Sequence, residues 1–207
     1  MVDADAGTRE RGVTANRLLA DAAALFRTRG YEGTTTREIS EALGIKKASL
    51  YHHVSSKEDL LYDICLAALN DVEAGARAAV SEAEGPGAKL HAMIHGHTIS
   101  MLANVDFSHT MLTDMRSLSG ERLKHVLQLR DRYERWTDRL IADAQEAGEL
   151  RADISSRHLT LLLFNLLNWT MFWYRPDGGL VAAQVAELIT TIFLDGAIPR
   201  KAPARRR

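Results

Sequence analysis

The sequence predicts an all-α protein with a small N-terminal helical unit followed by a larger helical part. Three observations carry this. Apolar residues recur at helical spacing over long stretches of the chain. Glycine and proline are scarce, 14 and 4 in 207 residues, and most stand between those stretches, which disfavours a sandwich or barrel. Near the N-terminus, two short helical patterns flank a tight glycine-containing turn, the arrangement of a helix-turn-helix.

The first helix is expected over about 13–29, where Ala15, Leu18, Leu19, Ala22, Leu25 and Phe26 share helical spacing and Gly30 supplies a left-handed stop. Thr35 and Glu38 have capping-box spacing and open a short second helix through Ile39, Ala42 and Leu43. Gly44 ends it, and Ile45 tucks back beneath. A third helical segment covers 47–53. Ser55 or Ser56 then caps a long helix carrying Leu60, Leu61, Ile64, Ala68 and Val72, broken by Gly85-Pro86-Gly87. Further helices are expected over 88–102, 108–118, 121–147, 156–174 and 181–194. The expected organisation is a disordered arm over 1–12, a helix-turn-helix unit over 13–56, a helical domain over 57–197 and a disordered basic tail over 198–207.

Charged residues make up 26% of the chain and hydrophobic residues 46%, ordinary for a soluble globular protein. The net charge of −1 means that any nucleic-acid binding must come from a local patch. The single cysteine, Cys65, excludes an internal disulfide and a multi-cysteine zinc site, and fits a reducing cytoplasm. The first twelve residues are polar and do not read as a signal peptide. The uncharged run from Leu159 to Tyr174 is shorter than the roughly 18–20 residues that span a bilayer and contains Asn165 and Asn168. It reads as a buried helix at a subunit interface, with no membrane involvement.

Such a patch exists. From Gly44 to Lys57 there are three lysines (Lys46, Lys47, Lys57), two histidines (His52, His53) and no acid. Neutralising phosphates dominates affinity for a duplex, and this edge supplies cations for it. Hydroxyls of Thr35, Thr36, Ser49 and Tyr51 can add phosphate hydrogen bonds. Leu50 and Val54, at i and i+4, form an apolar underside, while Lys47, Ala48, Ser49 and His52 point the other way. Lys47 suits guanine O6 or N7, and Ala48 suits a thymine methyl.

The runs Gly33-Thr34-Thr35-Thr36-Arg37-Glu38-Ile39, Ala42-Leu43-Gly44-Ile45 and Ser49-Leu50-Tyr51-His52-His53-Val54-Ser55-Ser56-Lys57-Glu58-Asp59-Leu60-Leu61 resemble the signature of the TetR family of transcription regulators. Val54 departs from it, since many members carry Phe there. The resemblance implies that Lys47, Ala48, Ser49 and His52 face bases, and that Thr36, Arg37, Tyr51, His53 and Lys57 hold phosphates. It also implies a homodimer on a near-palindromic operator of double-stranded DNA, acting as a repressor, with recognition helices about 34–36 Å apart.

The rest of the chain reads as a ligand-sensing and dimerisation domain. Polar His97, Arg116, Asn165 and Asn168 stand among apolar residues, and Met93, Met101, Met111, Met115, Trp136, Trp169, Met171, Phe172 and Trp173 cluster. Small-molecule pockets are mostly apolar with a few placed polar groups, so the ligand candidates are Met93, His97, Met101, Met111, Met115, Arg116, Tyr133, Trp136, Asn165, Asn168, Trp169 and Phe172. The last two helices carry apolar residues on more than one face, as a dimerising four-helix bundle requires. Their interface candidates are Leu159, Leu163, Leu166, Thr170, Trp173, Val185, Leu188, Ile189 and Ile192. The runs Asn165–Gly179, Arg116–Ser119 and Arg130–Glu134 resemble a TetR subgroup that includes regulators of steroid and fatty-acid breakdown. That resemblance implies an acyl-CoA or related CoA thioester as effector, with Arg116, Arg130 and Arg175 as candidates for its phosphates. Another hydrophobic small molecule is the alternative.

No cofactor is expected. His91 and His95 have metal-compatible spacing, but no acid on their helix completes a site, so no metal is assigned. The competing function is an all-helical enzyme or carrier using the cavity for chemistry. Its loose candidates, Glu121, His97 and Asp114, have no supporting spacing.

Overall fold

The computed structural model describes residues 3–197, with side chains from residue 15 onward. The tail over 198–207 lies outside the described residues. Within them the chain forms nine α-helices and no strand: α1 Asp3–Arg29, α2 Thr36–Leu43, α3 Lys47–Leu50, α4 Lys57–Ser81, α5 Pro86–Ala103, α6 Val105–Asp114, α7 Gly120–Glu146, α8 Ser156–Trp173 and α9 Ala182–Ala197. A 3-10 turn, Met115–Ser117, follows α6.

Several expected boundaries move: the helix expected over 108–118 is Val105–Asp114, and the last helix runs to Ala197 instead of 194. The arm expected to be disordered over 1–12 is helical from Asp3, ten residues ahead of the expected start. No proline interrupts that stretch, and Ala4, Ala6, Arg9, Glu10 and Arg11 are good helix formers, so the backbone can continue the helix without an apolar stripe. The third helix is shorter than 47–53: after Leu50 the amides of His52 and His53 donate to Ser49 and Leu50 carbonyls, three residues back, in a tightened turn.

The described residues divide into two compact units, one of those up to 69 with 104–128, the other of 70–103 with those from 129 to 197. α4 and α7 each contribute to both. In the first unit, α1 packs on α2 and α6 around a core of Leu18, Ala22, Phe26, Ile39, Leu50, Leu60, Leu61 and Ile64. Cys65 lies in this core, and burial pushes its thiol up to about 12, so it behaves as a packed apolar group. In the second unit, α5 and α8 pack on α9. The C-terminal half of α4 meets α5 at a close crossing, where a Cβ on Gly96 would lie 2.7 Å from the Gly75 carbonyl oxygen. Only glycine lets the two backbones approach so closely. No described helix is long and apolar enough to cross a membrane.

Candidate nucleic-acid interface and sensor residues

The helix-turn-helix is fixed by its ends. Thr35 Oγ1 accepts from the Glu38 amide at 3.3 Å, and a Glu38 carboxylate oxygen accepts from the Thr35 amide at 2.8 Å, completing a capping box. Donation from the Thr35 amide and hydroxyl holds the Glu38 carboxyl below the usual carboxylate range, and Arg29 adds an ion pair at 2.7 Å. At the other end Gly44 adopts φ 68°, and the amides of Gly44 and Ile45 donate to Glu41 and Ser40 carbonyls, a Schellman stop. The chain therefore leaves α2 on a fixed path, and α3 packs on it through fully buried Leu50. Val54 is half-buried.

On the outer side Lys46, Lys47, Ala48, Tyr51, His52 and His53 are exposed, and Ser49 is half-buried. Tyr51 Oη lies 3.4 Å from Thr36 Oγ1, joining the end of α3 to the start of α2. Arg37 pairs with Glu41 at 2.8 Å, but both side chains are largely exposed, so the guanidinium can exchange that partner for another anion at little cost. Thr35 is exposed, with its hydroxyl engaged in the cap.

Lys57 is different. Its ammonium donates to the Tyr31 carbonyl at 2.9 Å and the Thr34 carbonyl at 3.0 Å, and sits 4.0 Å from the centre of the Tyr31 ring. The group expected on a phosphate ties the loop before α2 to the start of α4. Beside it, Ser119 donates its amide and hydroxyl to Glu58, and Arg122 pairs with both Glu58 and Asp59. The Ser119 bonds, then Arg122, hold the Glu58 carboxyl below its usual range. Sequence reasoning missed this network, because its members are about 60 residues apart and carry no local pattern.

The ligand candidates fall into separate groups. Met93, His97, Met101, Tyr133 and Trp136 belong to the second unit, with Met93, His97, Met101 and Tyr133 buried and Trp136 half-buried. His97 Nδ1 lies 3.0 Å from Tyr133 Oη, Phe164 packs edge-on to both rings, and Tyr133 stacks on Trp136. Burial pushes the imidazole down to about 3, so it is uncharged. Asn168 is half-buried in the same unit. Met111 and Met115, by contrast, belong to the core of the first unit, and Arg116 is exposed. Asn165, Trp169 and Phe172 do not point inward either: Trp169 is 65% exposed and Phe172 52%. α8 is apolar on nearly every side, and these residues fall on the side turned away from its own core.

The interface candidates divide in the same way. Leu159, Leu163, Thr170, Val185 and Ile189 are buried within the chain, whereas Leu166, Trp173, Leu188 and Ile192 are exposed. The exposed set, with Leu162, Asn165 and Trp169, lines an apolar groove of about 560 Å³ along α8 and α9. Sequence reasoning missed Leu162, yet 162, 166, 169 and 173 step by four, three and four along one stripe. His91 and His95 stack with centroids 6.4 Å apart, and no cluster of three possible metal ligands occurs among the described residues.

Comparison with known proteins agrees with this geometry. Residues 18–64 match the model of bacterial regulatory proteins of the tetR family, and residues 83–197 match the tetracyclin repressor-like C-terminal domain. The HTH-type transcriptional repressor KstR2 of Rhodococcus jostii is 33% identical over 189 residues, covering 86% of this chain and 88% of KstR2. The TetR family regulator PfmR from Thermus thermophilus superimposes with a TM-score of 0.80 at 35% identity, covering 86% of this chain and 97% of PfmR. AibR, solved in complex with isovaleryl coenzyme A and operator DNA, gives a TM-score of 0.77 at 26% identity, covering 86% of this chain and 97% of AibR. The chain belongs to the TetR family and is a helix-turn-helix transcriptional repressor of that type.

Proposed function

We propose that the protein is a homodimer that holds a near-palindromic operator in the cytoplasm and releases it on binding an acyl-CoA or related CoA thioester. The observation that carries the DNA reading is the exposed, acid-free edge from Gly44 to Ser56 over a fully buried Leu50. Lys47, Ala48, Ser49 and His52 read base edges, while Thr36, Arg37, Lys46, Tyr51 and His53 meet phosphates. Lys57 and the capped Thr35 act by fixing the pose of the unit. A second copy covers the α8–α9 groove, since an apolar face of this kind is unusual on a monomer.

Two findings support the effector class: likeness to AibR, solved with isovaleryl coenzyme A, and an aromatic interior around the uncharged His97 in the second unit. α4 and α7 run through both units, so they are the covalent routes by which an effector in the second unit changes the first. The effector must bind the DNA-incompetent state more tightly, or nothing shifts.

The test is binding of the purified protein to the intergenic DNA beside its own gene, with and without long-chain and steroid-derived CoA thioesters. Salt-sensitive binding released by a thioester supports the whole reading. Binding that thioesters leave unchanged removes the effector class and favours another hydrophobic small molecule.

A further inference from the structure

We infer that His97 reads a carbonyl oxygen of the effector through its Nε2–H, with Tyr133 setting the proton on that nitrogen. This rests on the CoA-thioester reading above and names the contact that would recognise the acyl group.

His97 is 4% exposed, on α5, and its ring is stacked against Tyr133 of α7 and edge-on to Phe164 of α8. Nδ1 and the Tyr133 hydroxyl are 3.0 Å apart. Nε2 is fully buried and has no hydrogen-bond partner among the described residues. A phenol is the better donor and an imidazole nitrogen the better acceptor, so Tyr133 donates to Nδ1. Burial keeps the ring uncharged, and its one proton then sits on Nε2.

An unpaired N–H in a buried aromatic setting selects its partner. A cation has no lone pair to offer. A carboxylate would lose its hydration for a single neutral donor. A hydroxyl must also place its own proton, and the rings packed on His97 offer it the aromatic surfaces of Phe164 and Tyr133 and a hydroxyl already engaged with Nδ1. A carbonyl oxygen needs one donor and gives nothing back, which matches. It can be the thioester carbonyl or an oxo group on the acyl body. Making a bond to a donor otherwise left unsatisfied is worth about ten- to a hundredfold in affinity.

The test is calorimetric titration of the full-length protein with butanoyl-, octanoyl- and hexadecanoyl-CoA and the matching S-alkyl-CoA thioethers, which lack the carbonyl. A third set carries a ketone within the S-alkyl chain. The proteins are wild type, His97→Phe, His97→Gln and Tyr133→Phe. We expect wild type to prefer a carbonyl-bearing member by at least about tenfold, His97→Phe to bring that ratio close to one while still binding the thioether, and His97→Gln, which keeps a donor, to retain part of it. Preference for the thioester places the carbonyl at the thioester, and preference for the ketone places it in the acyl body. Equal affinity of wild type for thioester, ketone and thioether overturns the His97 assignment and leaves the CoA reading standing, as does a preference that survives in His97→Phe. Should His97→Phe not fold, a preference unchanged in both His97→Gln and Tyr133→Phe overturns the assignment instead. No binding of any CoA compound overturns the effector class, and this inference with it.

Discussion

Lys57→Met keeps most of the side-chain stem and removes only the ammonium, so it separates two roles that one lysine can have. The ammonium donates to two carbonyls, Tyr31 O at 2.9 Å and Thr34 O at 3.0 Å, and lies over the Tyr31 ring. Hydrogen bonds to charged groups contribute about 1.5–3 kcal/mol each, and a cation over an aromatic face about 0.5–1 kcal/mol at exposed sites. Lys57 is half-buried, so the lower values apply, and part of the gain is offset by the ammonium's lost hydration. A net loss of about 2–3 kcal/mol follows. For a chain of this size that lowers the melting temperature by roughly 5–10 °C.

Operator affinity should then fall by a similar factor at every salt concentration, because the loop before α2 is no longer held to α4. Thermal unfolding and fluorescence-anisotropy titrations between low and moderate salt read both quantities. If the melting temperature is unchanged and the salt slope shrinks by about 0.9 per copy, Lys57 is a phosphate contact and the positioning argument is wrong.

Three further outcomes follow from the same structure. Lys47→Ala should cost about 1–3 kcal/mol on the preferred operator and relax selectivity at one base position, measured by competition among single-base operator variants. A uniform loss across variants would make it a phosphate contact. Leu166→Glu, on the exposed stripe of α8, should give a folded monomer by sedimentation velocity with weakened operator binding, while an intact dimer would remove the α8–α9 groove from the interface. The third outcome concerns acid. Folding depresses the His97 value from about 6.5 to about 3, so the unfolded chain takes up a proton that the folded chain refuses. The stability this gives is full above about pH 6.5 and is lost as the pH falls toward 3. His97→Phe should therefore flatten the decline of melting temperature from pH 6.5 to 5. His109, also lowered by burial, leaves a residual slope; a decline as steep as wild type would place His97 in water.

Much of the fold was legible because its signals are local. The Thr35–Glu38 box, the left-handed Gly44 and the i, i+4 pair Leu50 and Val54 each act within a few residues, so spacing alone located α2 and α3. The face of each helix was harder to read. α8 is apolar at 159, 163 and 167 and again at 162, 166 and 169, and periodicity cannot say which stripe meets the chain's own core. That is why Trp169 and Phe172 were expected inside and lie outside. The placement of Met111 and Met115 in the first unit was hidden for a related reason: which compact unit α6 joins depends on packing against α1, more than 80 residues away, as the Thr110 hydroxyl on the Ala23 carbonyl illustrates. The contact that Lys57 makes was not legible because the carbonyls it holds, at Tyr31 and Thr34, are backbone groups that no residue pattern displays.

A dimer that reads DNA through the edge from Gly44 to Ser56 must bind selectively by sequence. Selection of bound duplexes from a random library at about 150 mM salt, followed by sequencing, tests it most directly. The expected result is an inverted repeat with half-site centres about 10–10.5 base pairs apart, lost when His52 and Lys47 are both replaced by alanine. Recovery of no motif, or of one unchanged by that double replacement, would contradict it.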